Sequence, residues 1–402
     1  MVTDLMPDKP QRLVSLDAYR GFVMLLMASG GLHIAQVASR FPDSRTWGLL
    51  GYEFEHVAWT GCALWDLIQP SFMFMVGVAM PYSYASRRAR GDSTAKIAVH
   101  VLYRAMILIL LGIFLRSDGR KQTYFTFEDV LTQIGLGYAF VYLLLGRSRT
   151  IQWLAVIAVL GGSWFLFYQH PTPGPGFDYT SVGVPHDWPF FTGLAAHWNK
   201  NTNFAAAFDQ GFLNLFPREK PFHFNEGGYQ TLNFVPSMAT MIFGVMAGEL
   251  LRSNREAKKK LARLVLGGAV CLAVGMAADH SLWPCVSRSW TICPIVKAIW
   301  TPSWAVFSAG WTLWLLAAFF WLIDIRGVHR WAFPLIVVGM NSIAMYVMAE
   351  LMFSWVRRTL LTHTGQSFFS GTYGPIASSV STLFVLWLIC LWMYQRKIFI
   401  RI

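Results

Sequence analysis

Hydrophobic positions in this chain fall in long, nearly uncharged blocks rather than in short alternating runs. A hydrocarbon core about 30 Å thick takes about 20 apolar residues in helical form. Ten blocks approach that length: residues 19–38, 64–85, 98–115, 130–146, 150–168, 230–251, 262–282, 300–323, 331–352 and 375–394. Strands of a membrane barrel would instead alternate over segments of about 10 residues. The pattern predicts an all-α polytopic membrane protein of about ten transmembrane helices, forming a single transmembrane domain over 1–402. One long polar connection, 169–229, separates the fifth block from the sixth.

Composition agrees: 55% of the 402 residues are hydrophobic, 13% are charged, and mean hydropathy is +0.43. Charge then sets an orientation. Lys9, Arg12, Arg20, Arg87, Arg88, Arg90, Lys96, Arg147, Arg149, the 252–263 run, Arg326, Arg330, Arg396, Lys397 and Arg401 all fall in alternate, mostly short connections. Because Lys and Arg accumulate in cytoplasmic loops, both termini are expected inside. The 169–229 connection is then an external cap, and its aromatic, Asn, Asp and Lys residues would suit a carbohydrate. The same loops account for most of the net charge of +12, so no nucleic-acid partner is needed. The first block is long enough to span and shows no cleavage site, so no removable signal is expected.

Of five cysteines, Cys62, Cys271 and Cys390 lie in or beside apolar blocks. Cys285 and Cys293 share one external loop, where they could close a disulfide or stay as thiols. His186, His197 and His223 are irregularly spaced, and no metal or nucleotide motif occurs, so no metal is assigned.

The stretch 53–80 carries the candidate chemistry. Asp66 lies inside an apolar block, where an acid marks a functional site by default. Pro70 cannot donate to the Asp66 carbonyl and is expected to kink the helix there, which a bilayer tolerates only against protein or a wet cavity. His56 precedes Asp66 by ten residues at the rim, where an imidazole suits general-base work. Glu53, Glu55 or Asp66 could fix its tautomer. An interfacial histidine with a structural aspartate is the plainer alternative. Toward the other membrane face, Asp17 and Arg20 are neighbours on a helix, which allows either an ion pair or an arginine reserved for phosphate. Lys96, His100 and Arg104 are spaced by four on one stripe, which fits either phosphate binding or snorkelling.

His56, Trp59, Gly61, Asp66, Leu67, Pro70, Phe72, Phe74 and Gly77 form the run H-x-x-W-x-G-x-x-x-x-D-L-x-x-P-x-F-x-F-x-x-G. This run resembles the heparan-α-glucosaminide N-acetyltransferase family and its bacterial relatives. Similar likeness is carried by R-L-x-S-L-D-x-x-R-G at 12–21, the 226–249 segment ending GVMAGE, K-x-x-W-T-x-S at 297–303 and G-M-N-S-I at 339–343. The resemblance implies transfer of an acetyl group from cytosolic acetyl-CoA, as co-substrate, to an amine of an amino sugar or glycan across the membrane. It implies His56 as the catalytic residue, and Asp66 is placed beside it. By position, Arg20, Lys96, His100 and Arg104 would meet the phosphates of CoA. Trp59, Lys297 and Asn341 would line the passage, and Glu226 would meet the acceptor. A multi-pass protein of the bacterial inner membrane, in contact with lipid, follows, and a homodimer is compatible. Two positions depart from the family: Ser29-Gly30-Gly31 stands where animal members have an asparagine, and Leu131-Thr132-Gln133-Ile134 lacks a cation. The competing reading is a proton-coupled sugar or lipid transporter with His56 and Asp66 as a relay.

Overall fold

The computed structural model describes residues 13–279 and 291–400. Every regular segment among them is helical. In chain order the α-helices are α1 Val14–Ala28, α2 Ile34–Ala38, α3 Arg45–Glu53, α4 Ile68–Ala89, α5 Thr94–Arg116, α6 Val130–Leu143 and α7 Arg149–Gln169. They continue as α8 Phe204–Phe212, α9 Phe234–Arg252, α10 Ala257–Ala278, α11 Pro302–Phe319, α12 Phe333–Met340, α13 Ser342–Thr364 and α14 Gly374–Gln395.

Six helices among the described residues are long and apolar enough to cross a bilayer, or eight if each of two bent pairs counts as one span. The bent pairs are α1 with the helix after it, at 48°, and α12 with α13, at 72°. The chain is therefore a multi-pass membrane protein. Two of the ten apolar blocks form helices outside that set: α6, which is 14 residues long, and α4.

Pro70 does not kink α4. It is the third residue of the helix, in the first turn, where an N–H has no intrahelical partner to lose. Asp66 accordingly lies in the 3-10 turn Leu64–Leu67 ahead of the helix, not within it. The proline inside α4 is Pro81, whose carbonyl accepts a 2.7 Å hydrogen bond from Arg252 at the end of α9.

The bundle is held by helices that approach closely at small residues, as expected where lipid supplies no hydrophobic drive between helices. A Cβ on Gly77 of α4 would run into the Met241 carbonyl of α9. One on Gly244 or Gly248 would meet the Phe74 or Val78 carbonyl of α4. Gly21 and Gly339 bring α1 and α12 together in the same way. The α4–α9 seam fixes the helix that begins just after Asp66. The possible pairing of Cys285 with Cys293 lies outside the described residues through Cys285; Cys293 is buried and accepts a hydrogen bond from Ser303.

Overpacking a tight interior typically costs 1–3 kcal/mol. Gly77→Val is therefore expected to lower the thermal midpoint of the detergent-solubilised protein by several degrees. Gly48→Ala, where an added Cβ meets nothing within 4 Å, should leave it unchanged.

Candidate active site

Two loops are paired at one end of the bundle. Thr60 and Val296 form an isolated antiparallel bridge, and the Gly61 N–H donates to the Ile295 carbonyl at 3.1 Å. Gly61 has φ +114°, a conformation that side chains rarely adopt, and this explains the glycine of the His56 motif. Asp279, at the end of α10, takes the Ile295 N–H at 2.6 Å and fixes the second loop from behind. Within that loop the Trp300 N–H closes a turn on the Lys297 carbonyl at 2.9 Å, with Trp300 held at φ +44°. Thr301 caps α11, and Ser303 donates to the Pro294 carbonyl at 2.6 Å. The K-x-x-W-T-x-S pattern is thus the sequence of a lysine-presenting turn.

The pairing brings together His56, Asp66 and Lys297. Asp66 is 1% exposed, and its Oδ1 lies 2.7 Å from His56 Nδ1 and 3.3 Å from Lys297 Nζ. Its Oδ2 accepts the N–H groups of Ala63, at 3.1 Å, and Val57, at 3.4 Å. Lys297 Nζ is also 3.0 Å from His56 Nδ1 and 3.4 Å from Nε2. Burial alone would raise the Asp66 carboxyl, but the His56 hydrogen bond and the Lys297 charge outweigh it and hold the pKa below the carboxylate range. Burial lowers Lys297 from the ordinary lysine range, against the opposing pull of Asp66. An ionised carboxylate only accepts, so His56 Nδ1 must donate to it. This leaves Nε2 as the second ring nitrogen of a side chain that is 47% exposed. Of the three acids that could set the tautomer, Asp66 does so. Glu53 instead accepts the Leu64 N–H at 2.7 Å, and Glu55 is exposed.

Other expected residues fall elsewhere. Trp59 is 3% exposed; its indole N–H donates to the Trp198 carbonyl at 3.2 Å, and Gly228 packs on its ring. It clamps the connection between α7 and α9 onto the His56 loop. Glu226 is exposed in that connection, with Lys200 as the nearby charge. Asn341 stands at the α12–α13 bend, where its amide donates to the Ile398 carbonyl and accepts the Ile400 N–H. That ties down the C-terminal tail rather than lining a passage with Lys297.

A cavity of about 520 Å³ opens among the other ends of the helices. Arg20, His100 and Arg104 line it, as do Asp17, Arg87 and Arg90. Lys96 does not: it is exposed and paired with Asp92 at 2.6 Å. Arg20 lies 3.6 Å from Asp17, so the pair and the cavity wall coexist. Arg104 stacks over the Tyr138 ring at 4.9 Å. The Nε atoms of Arg87 and Arg104 are buried with no hydrogen-bond partner among the described residues. Arg87 and Arg90 were hidden in the run SRRARGD, which reads equally well as a topological anchor. The walls run along α4 from Arg90 to Phe72, roughly 27 Å at 1.5 Å per residue. Phe72 is six residues beyond Asp66. Val130 and Leu131, the first residues of α6, also line the cavity.

Removing one partner of a buried ion pair strands the other at a cost of about 3–5 kcal/mol. Asp66→Ala should lose that much stability in chemical denaturation. Asp66→Asn combined with Lys297→Met should lose clearly less than the two single changes added together.

No family model matches the chain. Human heparan-alpha-glucosaminide N-acetyltransferase is 25% identical over 433 residues, covering 98% of this chain and 60% of the relative. The mouse protein of the same name is 24% identical over 431 residues, covering 97% of this chain and 60% of the relative. The chain thus spans about 60% of the length of the curated relatives it matches. Over nearly all of its own length, the chain is similar to these heparan-alpha-glucosaminide N-acetyltransferases.

Proposed function

We propose that the protein is a transmembrane acetyltransferase of a bacterial inner membrane, using cytosolic acetyl-CoA to acetylate an amine of an amino sugar or glycan on the far side. In this reading 1–402 is one catalytic membrane domain crossed about ten times. Both termini face the cytoplasm, and 169–229 is an external cap. The observation that carries it is a half-exposed imidazole, oriented by a buried carboxylate, set just ahead of the helix whose length forms one wall of an arginine-lined cavity. The names of the curated relatives support the acyl group and the class of acceptor.

The cavity suits a ligand with a phosphate-bearing head and a long, thin arm. Arg20, Arg87, Arg90, His100 and Arg104 would hold the phosphates, with two buried guanidinium N–H groups still to be satisfied. The arm would follow Met24, Met75, Val76 and Leu108 toward α6. At the thioester, His56 Nε2 takes the proton of the acceptor amine as its nitrogen attacks the carbonyl carbon. The C–S bond breaks, and the departing thiolate recovers that proton. Asp66 holds the imidazole and stabilises its protonated form. Lys297 lies where it can donate to the oxyanion. In the other order His56 carries the acetyl group itself before passing it to the amine.

Purified protein in liposomes, given radiolabelled acetyl-CoA and glucosamine, should form N-acetylglucosamine. His56→Ala should reduce that rate by about 100- to 10,000-fold, the usual worth of a positioned base. Arg87→Gln and Arg104→Gln should each raise the KM for acetyl-CoA about tenfold, as loss of a charge-assisted contact does, with the acceptor KM unchanged. Proton-coupled sugar uptake without acetylated product would contradict the assignment and favour a transporter.

A further inference from the structure

We infer that Glu128 is the anionic group that receives the acceptor's ammonium, in a subsite completed by Asn225 and Tyr229; this deepens the acyl-transfer reading and rests on it. Two acids stand side by side before α6, and their surroundings separate them. Asp129 caps the helix: its carboxylate accepts the N–H groups of Leu131, at 2.9 Å, and Thr132, at 3.1 Å, and the Thr132 hydroxyl at 2.6 Å. Glu128 does no such work. Its Oε2 accepts from Asn225 Nδ2 at 2.6 Å, and no cation lies within 4.0 Å of it among the described residues. A partly buried carboxylate with no ion-pair partner in contact is costly to keep charged; Arg116 acts on it only at a distance, and a bound ammonium would supply a direct partner.

Asn225 connects that acid to the reacting centre. Its Oδ1 accepts the Tyr229 N–H at 3.1 Å, and its carbonyl accepts from Asn201 Nδ2 at 2.9 Å. The Tyr229 ring centroid lies 5.7 Å from Lys297 Nζ, which itself touches His56 and Asp66. Burial, Asp66 and Glu128 together push the Tyr229 phenol up to about 12, so the ring stands in the field of both carboxylates. Burial likewise pushes Glu128 up to about 7. Arg116 at the end of α5 opposes that shift, while Asp129 and Asp209 reinforce it.

Position completes the case. Glu128 precedes by two and three residues a pair that lines the cavity, Val130 and Leu131. Asp66 precedes Phe72, a lining residue on α4, by six. A thioester arriving along the cavity would emerge between the imidazole cluster and Glu128, with Tyr229 between them. Glu226, expected from the sequence to meet the acceptor, is exposed and close to Lys200 instead.

Glu128→Gln keeps a carbonyl for Asn225 to donate to but removes the charge. It should raise the KM for glucosamine about tenfold or more. The KM for acetyl-CoA and the thermal midpoint should stay near wild type, and Glu128→Asp should fall between. An unchanged glucosamine KM in Glu128→Gln overturns the inference while leaving the acetyltransferase reading intact. So does a joint rise in both KM values with a lowered thermal midpoint, since that marks a merely structural latch. Should Glu128→Gln fail to fold, a normal glucosamine KM in Glu128→Asp overturns it equally. Wild-type protein that acetylates no amine overturns the functional reading and this inference together.

Discussion

A single buried carboxylate organises this end of the molecule. Asp66 is nearly inaccessible, yet it is shared between an imidazole and an ammonium drawn from a segment more than two hundred residues away. Removing such a charge from water is tolerable only when its lone pairs are filled. Four donors do this: His56, Lys297 and the backbone N–H groups of Ala63 and Val57. The loop bridge at Thr60 and Val296, the strained Trp300 and the Asp279 anchor can all be understood as means of delivering those donors. The result is an imidazole with one nitrogen committed to Asp66 and the other near Lys297 on a half-exposed ring.

The second organising feature is the distance between that imidazole and the basic cavity mouth. Helix α4 spans it: Asp66 stands just before its first turn, and Arg87 and Arg90 stand at its other end. Its glycine seam with α9 fixes it against the bundle, because no side chain fits between the two backbones. One rigid element therefore sets both the position of the candidate base and one wall of the cavity leading toward it. The connection between α7 and α9 closes the arrangement from the other side, fastened through Trp59 to the His56 loop and through Asn225 to Glu128.

The helical, membrane-embedded character was legible because lipid allows few alternatives to long apolar helices. The link between His56 and Asp66 was legible too, since a charged group in such a block demands a partner. Pro70 misled because a proline kinks a helix only in its interior, and the start of α4 at Ile68 cannot be read from apolar periodicity. Asn341 misled because its amide serves two backbone groups of the tail, a long-range pairing without local signature. Lys96 and Arg87 show the same limit in a charged loop. Both pair with Asp92, yet Lys96 stays in solvent and Arg87 forms part of the cavity wall.

The most direct test is a structure of the wild-type protein with acetyl-CoA bound. Phosphate density against Arg87, Arg90 and Arg104, with the acetyl carbonyl about 3–3.5 Å from His56 Nε2, is the predicted result. Acetyl-CoA outside this cavity, or a thioester that ends short of the imidazole, would contradict the account.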